Sequence, residues 1–134
     1  MSAETPERRP GSPFRVILCD DNVMLLEILS EVVQAQPDME VVGSACNDDQ
    51  ALQLAKRHQP DLVILDVRFP GGGPSVAKEI ARCSPASRIV AFSAYDDTAS
   101  AQQMRSAGVS EYVLKGMANR ELLAALRRAA EESR

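Results

Sequence analysis

At 134 residues, 45% of them hydrophobic and 25% charged, the chain has the size and composition of one globular domain and is too apolar for a disordered segment. A formal net charge of −4 with scattered basic residues argues against direct nucleic-acid binding, which needs a concentrated positive field. Cys19, Cys46 and Cys83 are odd in number and far apart, which suits neither a disulfide framework nor a zinc site, so reduced thiols in a cytoplasmic protein are expected.

Met1 to Pro13 carries Glu4, Glu7, Arg8, Arg9 and three prolines without an apolar run, so it is neither a signal peptide nor a membrane span. Residues 1–13 are expected to form a disordered leader, and residues 14–134 the folded domain. Phe14 to Cys19 is a short β-rich run that stops at Asp20-Asp21-Asn22, polar residues that commonly open a helix. From Val23 to Gln36, Leu25, Leu26, Leu29, Val32 and Val33 recur at helical spacing, and Pro37-Asp38 ends the pattern. Met39 to Ala45 reads as a second strand, and Asn47 with Gln50 forms a capping pair for a helix through His58. Leu62 to Leu65 is apolar at consecutive positions, as in a strand covered on both faces, and it too ends in acid, at Asp66.

Gly71-Gly72-Gly73 and Pro74 introduce a helix to about Cys83, and Arg88 to Phe92 makes a fourth strand. Asp96 or Asp97 can cap a helix running to Ala107, stopped by Gly108. Val109 to Leu114 is the last strand, and Glu121 to Ala130 lies in a final helix with Leu122, Leu126 and Ala129 on one side. Five strand–helix units with short connections predict an α/β fold, a parallel five-stranded sheet in the flavodoxin-like order 2-1-3-4-5 between two layers of helices.

Ligands of such sheets bind at the carboxyl ends of the strands, beside the point where strand order reverses. That edge receives Asp20 and Asp21 from the first strand, Asp66 from the third, Ser93 from the fourth and Lys115 from the fifth. Clustered carboxylates of this kind need cationic compensation, and their hard oxygens suit Mg²⁺ or Mn²⁺. A metal alone does not require Ser93 and Lys115, whereas a phosphoryl group does, because its oxygens need donors and positive charge while a carboxylate attacks in line.

Leu18-Cys19-Asp20-Asp21-Asn22, Pro60 to Asp66 with Pro70-Gly71, Phe92-Ser93-Ala94 and Tyr112-Val113-Leu114-Lys115 occur in the order found in receiver domains of two-component response regulators. From about Phe14 to Ala130 the sequence resembles that family, most closely the receivers that precede LuxR-type output domains. The resemblance implies that Asp66 accepts a phosphoryl group from a sensor histidine kinase, a phosphotransfer protein or a small acyl phosphate. It implies that Asp20, Asp21, Asp66 and the backbone carbonyl of Arg68 hold Mg²⁺, with Lys115, Ser93 and the backbone N–H of Ala94 on the phosphoryl oxygens. It also implies a switch in which the Ser93 hydroxyl moves toward the phosphoryl group and the Tyr112 ring turns inward, passing the signal to an output domain or protein partner. The face formed by the fourth helix, last strand and last helix is expected to dock that partner or a phosphorylation-dependent second copy. No membrane contact is expected.

Two departures stand out. Gly116 replaces a proline that many receivers carry in cis linkage, a bond that is costly without proline, and Pro74 replaces a frequent glycine at a position where a first helical turn accepts proline. Arg68 and Tyr95, two residues beyond Asp66 and Ser93, are bulky and are expected to slow loss of the phosphoryl group to water. Two rival readings fit the residues less well. An aspartyl-nucleophile phosphatase of the haloacid-dehalogenase type would want a second acid where Asn22 stands, and a phosphorylation-independent interaction module would not need the whole set of side chains. His58, the single histidine, sits on a helix far from the strand ends and is expected to be structural.

Overall fold

The computed structural model describes residues 11–132, so the expected leader falls, as far as residue 10, outside the described residues. Ten elements alternate: β1 (Phe14–Cys19), α1 (Val23–Gln34), β2 (Met39–Ala45), α2 (Asp48–His58), β3 (Leu62–Asp66), α3 (Gly73–Cys83), β4 (Arg88–Ser93), α4 (Thr98–Ser106), β5 (Glu111–Leu114) and α5 (Asn119–Glu132). All strand pairings are parallel and the order is β2-β1-β3-β4-β5, as expected from the alternation. Parallel strands put every carboxyl terminus on one edge, and the order reverses between β1 and β3.

The two faces of the sheet sort its residues by the period of two. Val16, Leu18, Leu62, Ile64, Val90 and Phe92 face Leu26, Leu29 and Val33 of α1 and Leu122, Leu126 and Ala129 of α5. Ile17, Cys19, Val63, Leu65, Ile89 and Ala91 face Ala51 and Ala55 of α2, Val76 and Ile80 of α3 and Met104 of α4. Every residue of β3 is buried, which accounts for its unbroken apolar run.

The boundaries differ from the sequence reading where polar groups intervene. The first helix ends at Gln34 rather than Gln36, with Ala35 as its C-cap, and the Gln36 side-chain amide donates to Val32 O at 3.3 Å. Val109 donates its backbone N–H to Met104 O and so closes α4 instead of opening β5. The last helix extends to Asn119 and Glu132 at exposed turns that carry no apolar stripe. The Asn47 cap forms as expected, accepting from Gln50 N at 2.9 Å, while the Gln50 side chain reaches past it to accept from Cys46 N at 2.9 Å. Of Asp96 and Asp97, it is Asp97 that caps α4.

His58 is half-buried at the end of α2, where its carbonyl accepts from Arg15 Nη1 at 2.5 Å, far in the fold from the strand carboxyl ends. Burial pushes the Cys19 thiol up to about 12, which makes it an inert core residue.

Arg127 on α5 clasps Asp38 in a two-pronged contact, Nε to Oδ2 at 2.9 Å and Nη2 to Oδ1 at 3.0 Å, tying the last helix to the turn before β2. The Arg127 hydrogen bond holds the Asp38 carboxyl below the ordinary range despite some desolvation. A lowered folded-state pKa gives stability that is present above the ordinary carboxylate value and lost as pH falls through the folded one. Arg127→Gln is therefore expected to lower the melting temperature modestly at neutral pH, both partners being partly exposed, and the gap from wild type should close as pH falls through the carboxylate range. Thermal melts across that range check it.

Candidate functional site

Four strand ends converge on one cluster. Asp20 follows β1, is 2% exposed, and its Oδ1 accepts from Asn22 N at 2.9 Å, while Asn22 in turn caps α1 by accepting from Leu25 N at 3.1 Å. The short polar run after β1 thus does two jobs: it orients one carboxylate and starts a helix. Asp66 ends β3 at 5% exposure, and Asp21 is exposed on the rim. The carboxylates of Asp20, Asp21 and Asp66 each offer an oxygen within 4.8 Å of the others.

Lys115, placed after β5 by a hydrogen bond from its own N–H to Ser93 O at 2.6 Å, reaches back over the sheet. Its ammonium lies 2.7 Å from Asp20 Oδ2 and 3.3 Å from Asp66 Oδ1. Burial pulls the Lys115 ammonium toward neutrality, but the hydrogen bond to Asp20 and the charges of Asp20 and Asp66 outweigh it and hold its pKa above the ordinary lysine value. Asp66 moves the other way for an acid: burial, with the charge of Asp20, raises its pKa against the pull of Lys115 and of the Arg68 N–H.

Both hydrogen bonds to the Asp66 carboxylate go to Oδ1, from Arg68 N at 3.3 Å and from Lys115 Nζ at 3.3 Å. Oδ2 is left for other chemistry. Three converging carboxylate oxygens form a hard donor set of the kind that suits Mg²⁺ or Mn²⁺. Burial first, and the charge of Asp20 second, disfavour the ionised form of Asp66, and a divalent cation would offset both.

Ser93 is fully buried at the end of β4, with its hydroxyl turned to the next segment: Oγ donates to Tyr95 O at 3.1 Å and accepts from Tyr95 N at 3.0 Å. Tyr112 on β5, half-buried, donates its hydroxyl to the same Tyr95 carbonyl at 2.9 Å. Ala94 lies exposed between them. All the side chains singled out from the sequence therefore share this edge, although Ser93 engages its own loop rather than Asp66.

Two features escaped the sequence. The Arg68 guanidinium carbon stacks 4.1 Å from the centroid of the Tyr95 ring, joining the loops after β3 and β4; the bulk of both residues was visible, their contact was not. Gly73 starts α3 so close to the chain that a Cβ would stand 2.3 Å from Val67 O, so the glycine triplet serves packing beneath Asp66 as well as turning. Pro74 sits unstrained in the first turn of α3, and the peptide bonds of the described residues are all trans, with Gly116 at φ +94°.

Residues 16–127 match the family model of the response regulator receiver domain. The chain belongs to that family. It is 34% identical over 119 residues to the nitrate/nitrite response regulator protein NarL of Escherichia coli K12, covering 88% of this chain and 55% of that protein. The chain thus spans about half the length of the curated relatives it matches. Among solved structures, a LuxR-family two-component response regulator from Aurantimonas sp. SI85-9A1 superposes with a TM-score of 0.85 at 30% identity, covering 90% of this chain and 87% of that one. A response regulator protein from Burkholderia pseudomallei, described with a phosphorylated aspartic acid, a calcium ion and citrate, superposes with a TM-score of 0.78 at 26% identity, covering 89% of this chain and 69% of that one.

Receiver domains are signalling modules of two-component systems rather than turnover enzymes, which sets aside the phosphatase alternative. Among the described residues, no helix is long and apolar enough to cross a membrane.

Removing the ammonium should unbalance the two buried acids. Lys115→Ala is expected to raise the Asp66 pKa further in metal-free protein, read by NMR titration of the Asp66 carboxyl carbon; an unchanged or lower value would mean that Lys115 is not what balances the pair.

Proposed function

We propose that residues 14–134 form the phosphoacceptor domain of a cytoplasmic response regulator and that Asp66 is its nucleophile. The observation that carries this reading is the unencumbered Oδ2 of Asp66 beside a half-buried ammonium that already spans Asp20 and Asp66. Oδ2 attacks phosphorus in line, an O–P bond forms, and the P–N bond of a phosphohistidine breaks with its electron pair going to the imidazole nitrogen. With a small acyl phosphate, the P–O bond breaks instead and a carboxylate leaves.

Asp20, Asp21, Asp66 and the Arg68 carbonyl would hold Mg²⁺, which when bound offsets the negative charge gathered on the phosphoryl oxygens. Lys115 turns its ammonium from Asp66 to a phosphoryl oxygen, Ser93 rotates its hydroxyl from Tyr95 O to another, and the Ala94 N–H meets the same group. When Ser93 turns away, the Tyr95 carbonyl is not left bare, because the Tyr112 hydroxyl already donates to it. Tyr112 then settles into the space that Ser93 vacates, and the face of α4, β5 and α5 changes for an output domain, a protein partner or a second copy.

The phosphodonor is a sensor histidine kinase or phosphotransfer protein. Val23 and Met24, 58% and 74% exposed, open α1 one residue beyond the acidic pair, after the Asn22 cap, and Met117, 53% exposed, follows Lys115 by two residues, so an apolar rim borders the site where such a partner would seat. The phosphorylated aspartic acid of the Burkholderia pseudomallei relative supports the chemistry.

With Mg²⁺ and acetyl phosphate, wild type is expected to gain one PO₃ by intact-mass analysis, and Asp66→Asn and EDTA-treated protein to gain none. Equal labelling of Asp66→Asn would overturn the assignment. The stacked pair of Arg68 and Tyr95 covers the approach of water, so Arg68→Ala and Tyr95→Ala are each expected to speed loss of phosphate several-fold, roughly 1 kcal/mol of barrier. Phosphate-release kinetics check it, and decay at the wild-type rate in both would remove this role.

A further inference from the structure

The stack of Arg68 on Tyr95 connects more than two side chains. On one side, Arg68 belongs to the loop that carries Asp66 and donates its backbone N–H to Asp66 Oδ1 at 3.3 Å. On the other, the backbone of Tyr95 brackets the Ser93 hydroxyl, its N–H donating at 3.0 Å and its carbonyl accepting at 3.1 Å. Two residues on, Asp97 caps α4 by accepting from Ser100 N at 2.7 Å and from Ser100 Oγ at 3.0 Å, and the positive charge of Arg68 reaches that carboxylate as well. The phosphorylation loop, the Ser93 hydroxyl and the start of α4 are therefore joined through one guanidinium and one ring.

We propose that the Arg68–Tyr95 stack is the link by which the loop after β3 drives the segment after β4: with a phosphoryl group on Asp66, the Arg68 guanidinium turns onto its oxygens, the Tyr95 ring follows, and the Tyr95 backbone releases the Ser93 hydroxyl and shifts the α4 cap. This rests on Asp66 being the phosphoacceptor. A guanidinium is planar, so its edge can donate to phosphoryl oxygens while its face stays on the aromatic ring. A phosphoryl group brings nearly two negative charges to a residue two positions from Arg68, while the ring at 46% exposure is free to move with it. Arg68 is thus a positioning residue acting through Tyr95, and the stack remains closed over the phosphoryl group, consistent with its shielding of water. A lysine at the same place would bring the charge without the flat face.

The test is amide NMR of the full chain with Mg²⁺ and beryllofluoride, a mimic of the aspartyl phosphoryl group, in wild type and in Arg68→Ala, Arg68→Lys, Tyr95→Leu and Tyr95→Phe. Shifts around Asp66 and Lys115 report binding and an intact fold; shifts at Ser93 and from Thr98 to Ala101 report the relay. With binding saturated, Arg68→Ala, Arg68→Lys and Tyr95→Leu are expected to retain about half or less of the wild-type relay shifts, and Tyr95→Phe nearly all of them. Full relay shifts in Arg68→Ala or Tyr95→Leu would overturn the link while leaving Asp66 as acceptor. Absence of shifts around Asp66 in wild type would overturn the phosphoacceptor reading, and the link with it.

Discussion

Two buried carboxylates cannot sit side by side at a sheet edge without compensation, and the Lys115 ammonium between Asp20 and Asp66 is what allows them to do so. At about 4 Å and an effective dielectric near 20, two like charges repel by roughly 4 kcal/mol. One cation between two anions sets two attractions against that repulsion, and its long stem reaches from the end of β5 across β4 to do it. Burial, with the charge of Asp20, still holds the Asp66 pKa above the ordinary carboxylate value despite the ammonium.

The sheet supplies this edge without further design. Parallel strands deliver their carboxyl ends together, and the reversal of order between β1 and β3 brings Asp20 next to Asp66. Burial of β3 on both faces fixes the register that carries Asp66 to the edge, and the close approach of Gly73 to Val67 fixes the loop beyond it. Asp66 is thus carried on a strand covered on both faces, whereas the Tyr95 segment lies between elements and is held by the Ser93 hydroxyl, the Tyr112 hydroxyl and the Arg68 stack. In the proposed switch the acceptor stays on the buried strand and the response falls to that segment.

Much of this was legible in the sequence because the signals are local and repetitive. Leu62 to Leu65 announces a doubly covered strand, and acids directly after two apolar runs announce the site edge. The alternation of elements then places Ser93 and Lys115 on the same edge, so four strand ends come together on sequence pattern alone. What remained hidden depends on side-chain direction across loops: the turning of Ser93 toward Tyr95, the shared acceptor for Tyr112, and the stacking of Arg68 on Tyr95 have no periodicity to betray them. The start of β5 lies at Glu111 rather than Val109 for a related reason, since Val109 looks like a strand residue but spends its N–H on Met104.

The account stands most directly on the identity of the modified atom. Treating the phosphorylated protein with borohydride reduces an aspartyl phosphate to homoserine, which peptide mass spectrometry locates. Homoserine at position 66 and nowhere else is the predicted result; homoserine at position 20 or 21, or at none, would contradict the central role given to the carboxylate that Lys115 holds in place.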